Sequence, residues 1–249
     1  MTFYDLPTYV VLSGRNAVFV YAVAADGTLT LTDKNVAPRA EDGPRHVTPH
    51  PNGEYVYSLQ EHTSMVDVFQ VRFLARSFAA WLTWRPGRQR EDARLAAGRQ
   101  DNSSRLETSS CMLYKPLTSE PVDKSPKLFW ADEVRVSPSK QYLYASTRGL
   151  DTAERGWVAV FGLLSSGLIA SETPLALWET PTCGGWANAV EPAPRPLSTL
   201  DGAEGVDYIA LTDSEKGLVL VLSWDGKAVE EVARVRLEGG AAAATAVWL

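Results

Sequence analysis

Residues 46–71 read HVTPHPNGEYVYSLQEHTSMVDVFQV, and residues 133–148 read EVRVSPSKQYLYASTR. Each opens with a short strand that runs into a proline turn, because proline cannot donate to a strand ladder and presets the turn. A second strand follows, in which Tyr, Val and Leu alternate with small or polar residues, and the first stretch continues through a polar turn into a third. Period-2 alternation of β-branched and aromatic residues between Gly, Asn and Ser turns is the mark of β-hairpins.

The hairpin occurs four times. Its copies are residues 9–13 with 18–23 (YVVLS, VFVYAV), 55–60 with 65–71 (YVYSLQ, MVDVFQV), 142–147 with 157–163 (YLYAST, WVAVFGL) and 207–212 with 217–224 (DYIALT, GLVLVLSW). The strand-and-proline unit precedes three of them, at 46–52, 133–139 and 188–194 (NAVEPAP), and a fourth strand is expected at 28–32 and 231–237. Four antiparallel strands per repeat, with no helical period between them, describe a propeller blade. A β-sandwich of short strands is the alternative, but nothing in a sandwich calls for such repetition. The expected fold is therefore all-β, a single partial β-propeller domain over residues 1–249 with about four to five blades. Residues 72–110 are expected as an irregular Arg-rich insertion within it. Residues 245–249 are expected as a last strand whose partner blade is missing, so open blade edges invite self-association.

Composition narrows the function. The chain has 249 residues, 24 Lys and Arg against 30 Asp and Glu, a net charge of −6 and 45% hydrophobic residues, enough for a real core. Mild acidity argues against nucleic acid as a partner. Two cysteines, Cys111 and Cys183, allow neither a disulfide scaffold nor a cysteine zinc site, and His46, His50 and His62 are expected to make turn hydrogen bonds. No metal and no cofactor are expected, since phosphate loop, nucleophile elbow and nucleotide fingerprint are all missing. Residues 1–11 lack a signal-peptide pattern, and no apolar run approaches the roughly 20 residues of a membrane helix. A cytoplasmic protein with no membrane contact is the expectation. Residues 72–107 stand apart, with eight Arg, no Lys and four acids, a net of +4 that leaves −10 for the remainder. Three readings compete for this stretch: an Arg-rich nucleic-acid or anion-binding insertion, a disordered or partly helical surface loop, and translated intron or frame-shifted sequence, which is preferred.

Superposing the copies on Pro51, Pro138 and Pro192 brings out two recurring positions. Ahead of the first strand lie Arg45, Asp132 and Trp186; after the second lie Glu61, Arg148 and Asp213, with Arg15 in the first hairpin. Equivalent blade positions converge on one channel mouth, so charges of both signs at the ends of apolar strands make a candidate site.

At these residues the sequence resembles a known family. The stretches GPRHVTPHPNGEYVYSLQE (43–61) and YLYASTR (142–148) are similar to the seven-bladed β-propeller lactonases. The later TPTCGGWANAV (180–190), IALTD (209–213), VARVRL (232–237) and AVWL (246–249) resemble its fungal 3-carboxy-cis,cis-muconate lactonizing branch, the carboxymuconate cyclases. The resemblance covers most of the chain outside 72–125. It implies a cofactor-independent cycloisomerase of the protocatechuate branch of the β-ketoadipate pathway, with a small polycarboxylate as its partner. By resemblance Arg45, Glu61 and Arg148 are the catalytic set: the arginines clamp carboxylates and stabilise charge, and Glu61 handles the proton. Trp186, Asn188 and Asp213 are the expected substrate-binding residues. By the same resemblance the chain departs from the family at Trp186, where relatives generally carry His, and is expected to lack the upstream blades that hold a site histidine. The resemblance thus also allows for activity lost by truncation. A 6-phosphogluconolactonase-like hydrolase and a non-catalytic interaction scaffold are the alternatives.

Overall fold

Three of the four hairpins turn on one backbone device. The connections 13–16, 61–64 and 214–217 each hold four residues, and each ends on a left-handed residue: Asn16 (φ 47°), Ser64 (φ 51°) and Gly217 (φ 62°). Such a residue matches the connection to the right-handed twist of the two strands it joins. In the computed structural model, which describes residues 8–71, 110–112, 128–194 and 205–249, these turns build four antiparallel sheets.

The first sheet is β1 (Thr8–Leu12), β2 (Ala17–Val23) and β3 (Leu29–Val36), three strands in sequential order. The second runs β4 (Pro44–Pro49), β5 (Tyr55–Gln60), β6 (Met65–Gln70) and β7 (Ser110–Met112). The third runs β8 (Phe129–Val136), β9 (Tyr142–Gly149), β10 (Trp157–Gly162) and β11 (Ala176–Glu179), and the fourth β12 (Val190–Pro192), β13 (Asp207–Asp213), β14 (Leu218–Trp224) and β15 (Val229–Arg236). Strands β4, β8 and β12, each the first of its sheet, lie side by side. That is blade packing in a β-propeller, and among the described residues no sheet closes on itself.

The third sheet shows why these sequences form blades. On β9, Leu143 and Ala145 enter one core while Tyr144 between them enters the other; on β10, Ala159 and Phe161 face the first core and Val158 and Val160 the second. Period-2 side chains that are apolar on both faces bury the sheet on both sides. The first core is completed by Tyr57, Leu59, Val66 and Val68 of the second sheet, the second by Ile209, Leu211, Leu220 and Trp224 of the fourth. Emptying either core, as in Phe161→Ala, costs about 3–5 kcal/mol. By contrast β3 and β15 are exposed along almost their whole length.

Three expectations change here. Residues 245–249 form no strand, because no described strand offers them a ladder; instead the Trp248 indole N–H donates to the Glu191 carbonyl at 2.9 Å. Ser110, the last residue of the expected irregular stretch, pairs with Asp67 in a strand. The rest of that stretch, with all three readings of 72–107, lies outside the described residues. Strand β11 (ALWE), which no repeat pattern marked, is the fourth strand of the third sheet.

Candidate carboxylate-binding site at the blade ends

Two β-bulges create the site. The β4–β5 register shifts between Pro44 and His46, and the β8–β9 register shifts between Ala131 and Glu133. The extra residues are Arg45 and Asp132, so each leaves the ladder at the same place in its blade, and a bulge re-aims its side chain. Glu61 and Arg148 each lie one residue beyond the last β5–β6 and β9–β10 pairs. The two blades thereby present four charged side chains to one point.

They meet there as an alternating ring. Arg45 Nη1 donates to Glu61 Oε1 at 2.7 Å and its Nη2 reaches Asp132 Oδ1 at 3.1 Å. Arg148 Nη2 donates to the same Glu61 Oε1 at 2.9 Å and its Nη1 to Asp132 Oδ1 at 2.5 Å. Arg45 Nε adds a bond to the Asp132 backbone carbonyl at 3.1 Å. The ring carries no net charge. Its members differ in depth: the Asp132 and Arg148 side chains are 2% and 5% exposed, Glu61 13% and Arg45 29%. Burial pushes the Asp132 carboxyl above the usual carboxylate range; the Arg148 and Arg45 guanidinium groups and the Asn188 N–H pull it down without cancelling that, and Glu61 adds to the rise. The Arg148 guanidinium also lies over the Trp130 ring, 5.4 Å from its centre, and His62 packs against the same indole.

The fourth sheet enters differently from its sequence alignment. The turn amides His50 N–H, Ser137 N–H and Ala193 N–H make equivalent bonds to the carbonyls of Tyr55, Tyr142 and Tyr208. Pro194, not Pro192, therefore corresponds to Pro51 and Pro138, and Asn188, not Trp186, corresponds to Arg45 and Asp132. At the other position Ser214, one residue past the last β13–β14 pair, replaces Asp213, and Ser13 replaces Arg15.

These shifts set each residue's contribution. Asn188 is fully buried; its N–H donates to Asp132 Oδ2 at 2.8 Å and its side-chain amide to the Thr147 carbonyl at 2.7 Å, so it braces the ring from behind. Trp186 gives Arg148 Nη1 its backbone carbonyl at 3.0 Å, while the residue as a whole is 83% exposed. Asp213 stays out of the ring: its carboxylate accepts the Thr182 hydroxyl at 2.5 Å and the turn amides of Glu215 and Lys216. Gly184, at φ +84°, is required where it stands, because a Cβ there would come within 2.8 Å of Asn188 Cβ. Trp130 carried no signal in the sequence, and Asp132 stood among the recurring charged positions without a catalytic or binding assignment. For Asp132 the signal was present, since it occupies the Arg45 position of the next blade.

The histidines divide. His50 accepts the Asn52 N–H within its own turn, whereas His62, on a turn, meets the carbonyl of distant Glu41. His46, expected in a turn, instead contacts Glu133 on β8, and Glu133 also binds Arg135, whose Nε reaches Glu191 at 2.8 Å. A second polar ladder thus crosses β4, β8 and β12.

An all-β array of blades whose bulged strands gather arginines and carboxylates is a partial β-propeller, and comparison with known proteins places it in a family. Residues 7–170 match the family model described as lactonase, 7-bladed beta-propeller, and the chain belongs to that family. Over 246 residues it is 35% identical to muconate cycloisomerase 1 of Cutaneotrichosporon cutaneum, covering 97% of this chain and 55% of the relative. Over 237 residues it is 25% identical to carboxy-cis,cis-muconate cyclase of Neurospora crassa, covering 94% of this chain and 54% of that protein. The chain thus spans about half the length of the relatives it matches. Among solved structures the fold is similar to a candidate 6-phosphogluconolactonase of Bacteroides uniformis (TM-score 0.58, 15% identity, 93% of this chain and 52% of that one). It is also similar to the periplasmic gluconolactonase of Pseudomonas aeruginosa (TM-score 0.54, 16% identity, 92% and 50%). Among the described residues no helix is long and apolar enough to cross a membrane.

Proposed function

We propose that the chain carries the carboxylate-clamping and proton-transfer part of a cycloisomerase that lactonizes 3-carboxy-cis,cis-muconate. The observation behind this reading is the convergence of Arg45, Arg148 and Glu61 from two blades onto one point, in a chain whose relatives are named for muconate chemistry. One carboxylate oxygen of the substrate forms a C–O bond to the conjugated double bond, and the π electrons move toward the carboxylate at its far end. An arginine fork is suited to both carboxylates, and most to the one that gains charge. The carbanion then takes up one proton. Glu61 suits relaying that proton from water, because both arginines bind its Oε1 and no described residue binds its Oε2. The balance is that of an isomerisation, without oxidant or cofactor. A cytoplasmic location belongs to the same reading.

Mixing the protein with 3-carboxy-cis,cis-muconate and following the diene absorbance tests it. A steady loss of absorbance, abolished by Arg45→Ala, is expected. An unchanged diene together with opening of 6-phosphogluconolactone would make the protein a hydrolase. Neither reaction, with ligand binding untouched by Arg45→Ala and Arg148→Ala, would leave an interaction scaffold. Self-association, the remaining expectation, would use the edges where β3 exposes Leu29, Leu31 and Val36 and β15 exposes Val232 and Val235. Sedimentation that stays monomeric as concentration rises would argue against it.

A further inference from the structure

The two carboxylates of the ring are not equivalent. Asp132 uses both oxygens: Oδ1 receives Arg45 and Arg148, and Oδ2 receives the Asn188 N–H. Its donors come from β4, from β9 and from the segment entering β12, so three blades hold one carboxylate. Its own backbone carbonyl is bound as well, by Arg45 Nε, and the bulge removes the freedom to slide along the ladder. Glu61 lies on a turn, is more exposed, and engages both arginines through a single oxygen.

We propose that Asp132 is a positioning residue, whose carboxylate fixes Arg45 and Arg148 as one pair facing the mouth, while Glu61 is the counter-ion that an incoming carboxylate displaces. The inference rests on the carboxylate-binding reading above and adds a division of labour within it. Two guanidinium groups repel one another, and a shared buried anion is what holds them together. A ligand carboxylate cannot compete for Asp132, which is buried behind them. It can compete with Glu61, whose release from the arginines leaves a carboxylate free to take a proton from water and pass it on. Displacement needs no net change in the charge of the ring, since one carboxylate replaces another.

The alternative role for Asp132 is plain charge neutralisation, and the two roles give opposite signs. Propane-1,2,3-tricarboxylate, a saturated tricarboxylate that cannot react, serves as the probe in calorimetric titration of the whole chain. Glu61→Gln removes a competing anion and leaves the pair fixed, so binding is expected to tighten about three- to tenfold. Asp132→Asn also makes the ring more positive, yet with the pair released binding is expected to weaken about tenfold or more. Asp132→Glu keeps the charge but moves it by one methylene, and is expected to weaken binding in the same direction. Tighter binding by Asp132→Asn, or wild-type binding by Asp132→Glu, would overturn the proposal.

If the wild-type chain binds no tricarboxylate, the carboxylate-binding reading fails instead. Crystal structures then decide the positioning role alone: both guanidinium groups are expected to leave their places in Asp132→Asn. Finding them unmoved would refute it. Should Asp132→Asn fail to fold, the binding and the crystal structure of Asp132→Glu carry the same decision.

Discussion

The joint between the second and third sheets and the joint between the third and fourth use the same apolar plan and different polar ends. In the first, the paired positions hold Arg45, Asp132, Glu61 and Arg148; in the second, the fourth sheet supplies neutral Asn188 and Ser214 at the same places. Asn188 and Ser214 seat the fourth blade well: Ser214 Oγ accepts the N–H groups of Trp186 and Ala187 and donates to Gly184. Charge at these positions is therefore no requirement of blade packing. Its concentration at one joint, in a ring costly to desolvate, is what the proposed carboxylate binding would explain. The joints differ again at a pair of equivalent tyrosines. The Tyr57 hydroxyl donates to the Gly167 carbonyl, whereas the Tyr144 hydroxyl donates to the Asp207 carboxylate, each at 2.5 Å.

Breaking the charged joint gives the largest effect. Arg148→Ala leaves buried Asp132 without its closest partner and is expected to lower stability by about 3–5 kcal/mol and to abolish tricarboxylate binding. Urea unfolding and titration measure the two; a stable variant that still binds would mean the ring is ornamental.

The tyrosines come next. Tyr144→Phe is expected to cost about 1–3 kcal/mol, because Asp207 Oδ1 has no partner among the described residues and Oδ2 would lose its donor. Tyr57→Phe frees only a backbone carbonyl and is expected to cost about 1 kcal/mol. Equal losses in urea melts would erase this difference between the joints.

The third prediction concerns pH. Burial raises the Asp207 carboxyl above its ordinary 3.8, and the Tyr144 hydrogen bond only partly offsets it. In the window above that value the folded chain holds a proton that the unfolded chain has lost, so this group's contribution to stability falls as pH rises. Asp132 shifts in the same direction. Asp207→Asn should therefore flatten the decline in unfolding free energy from pH 4 upward. A slope unchanged from wild type would show that Asp207 is not the group responsible.

The smallest effect compares one turn in two blades. Gly53 (φ 76°) and Lys140 (φ 63°) occupy the same left-handed position between the first and second strands of their sheets. Only glycine adopts that conformation without a steric cost, so Lys140→Gly is expected to gain about 1 kcal/mol. A melting temperature unchanged or lowered would show that Lys140 compensates through contacts of its side chain.

Much of this was legible in the chain itself. Alternation of Val, Tyr and Leu marks strands because a blade buried on both faces demands apolar side chains at every step, and repetition marks blades because each must pack on a copy of itself. The grouping of Arg45, Glu61 and Arg148 was legible for the same reason, since equivalent repeat positions converge. The register of the fourth copy was not. Pro192 and Pro194 both suit the turn, and only the bond from Ala193 N–H to the Tyr208 carbonyl selects between them. Local sequence thus determined the strands, the turns and the charged side chains at the blade ends, because those follow from periodicity and steric preference. Only the tertiary structure decided that Asn188 braces the ring, that Asp213 serves its own turn, and that Asp132 stands behind both arginines. Those roles depend on which blades meet, and on how deeply each charge is buried where they do.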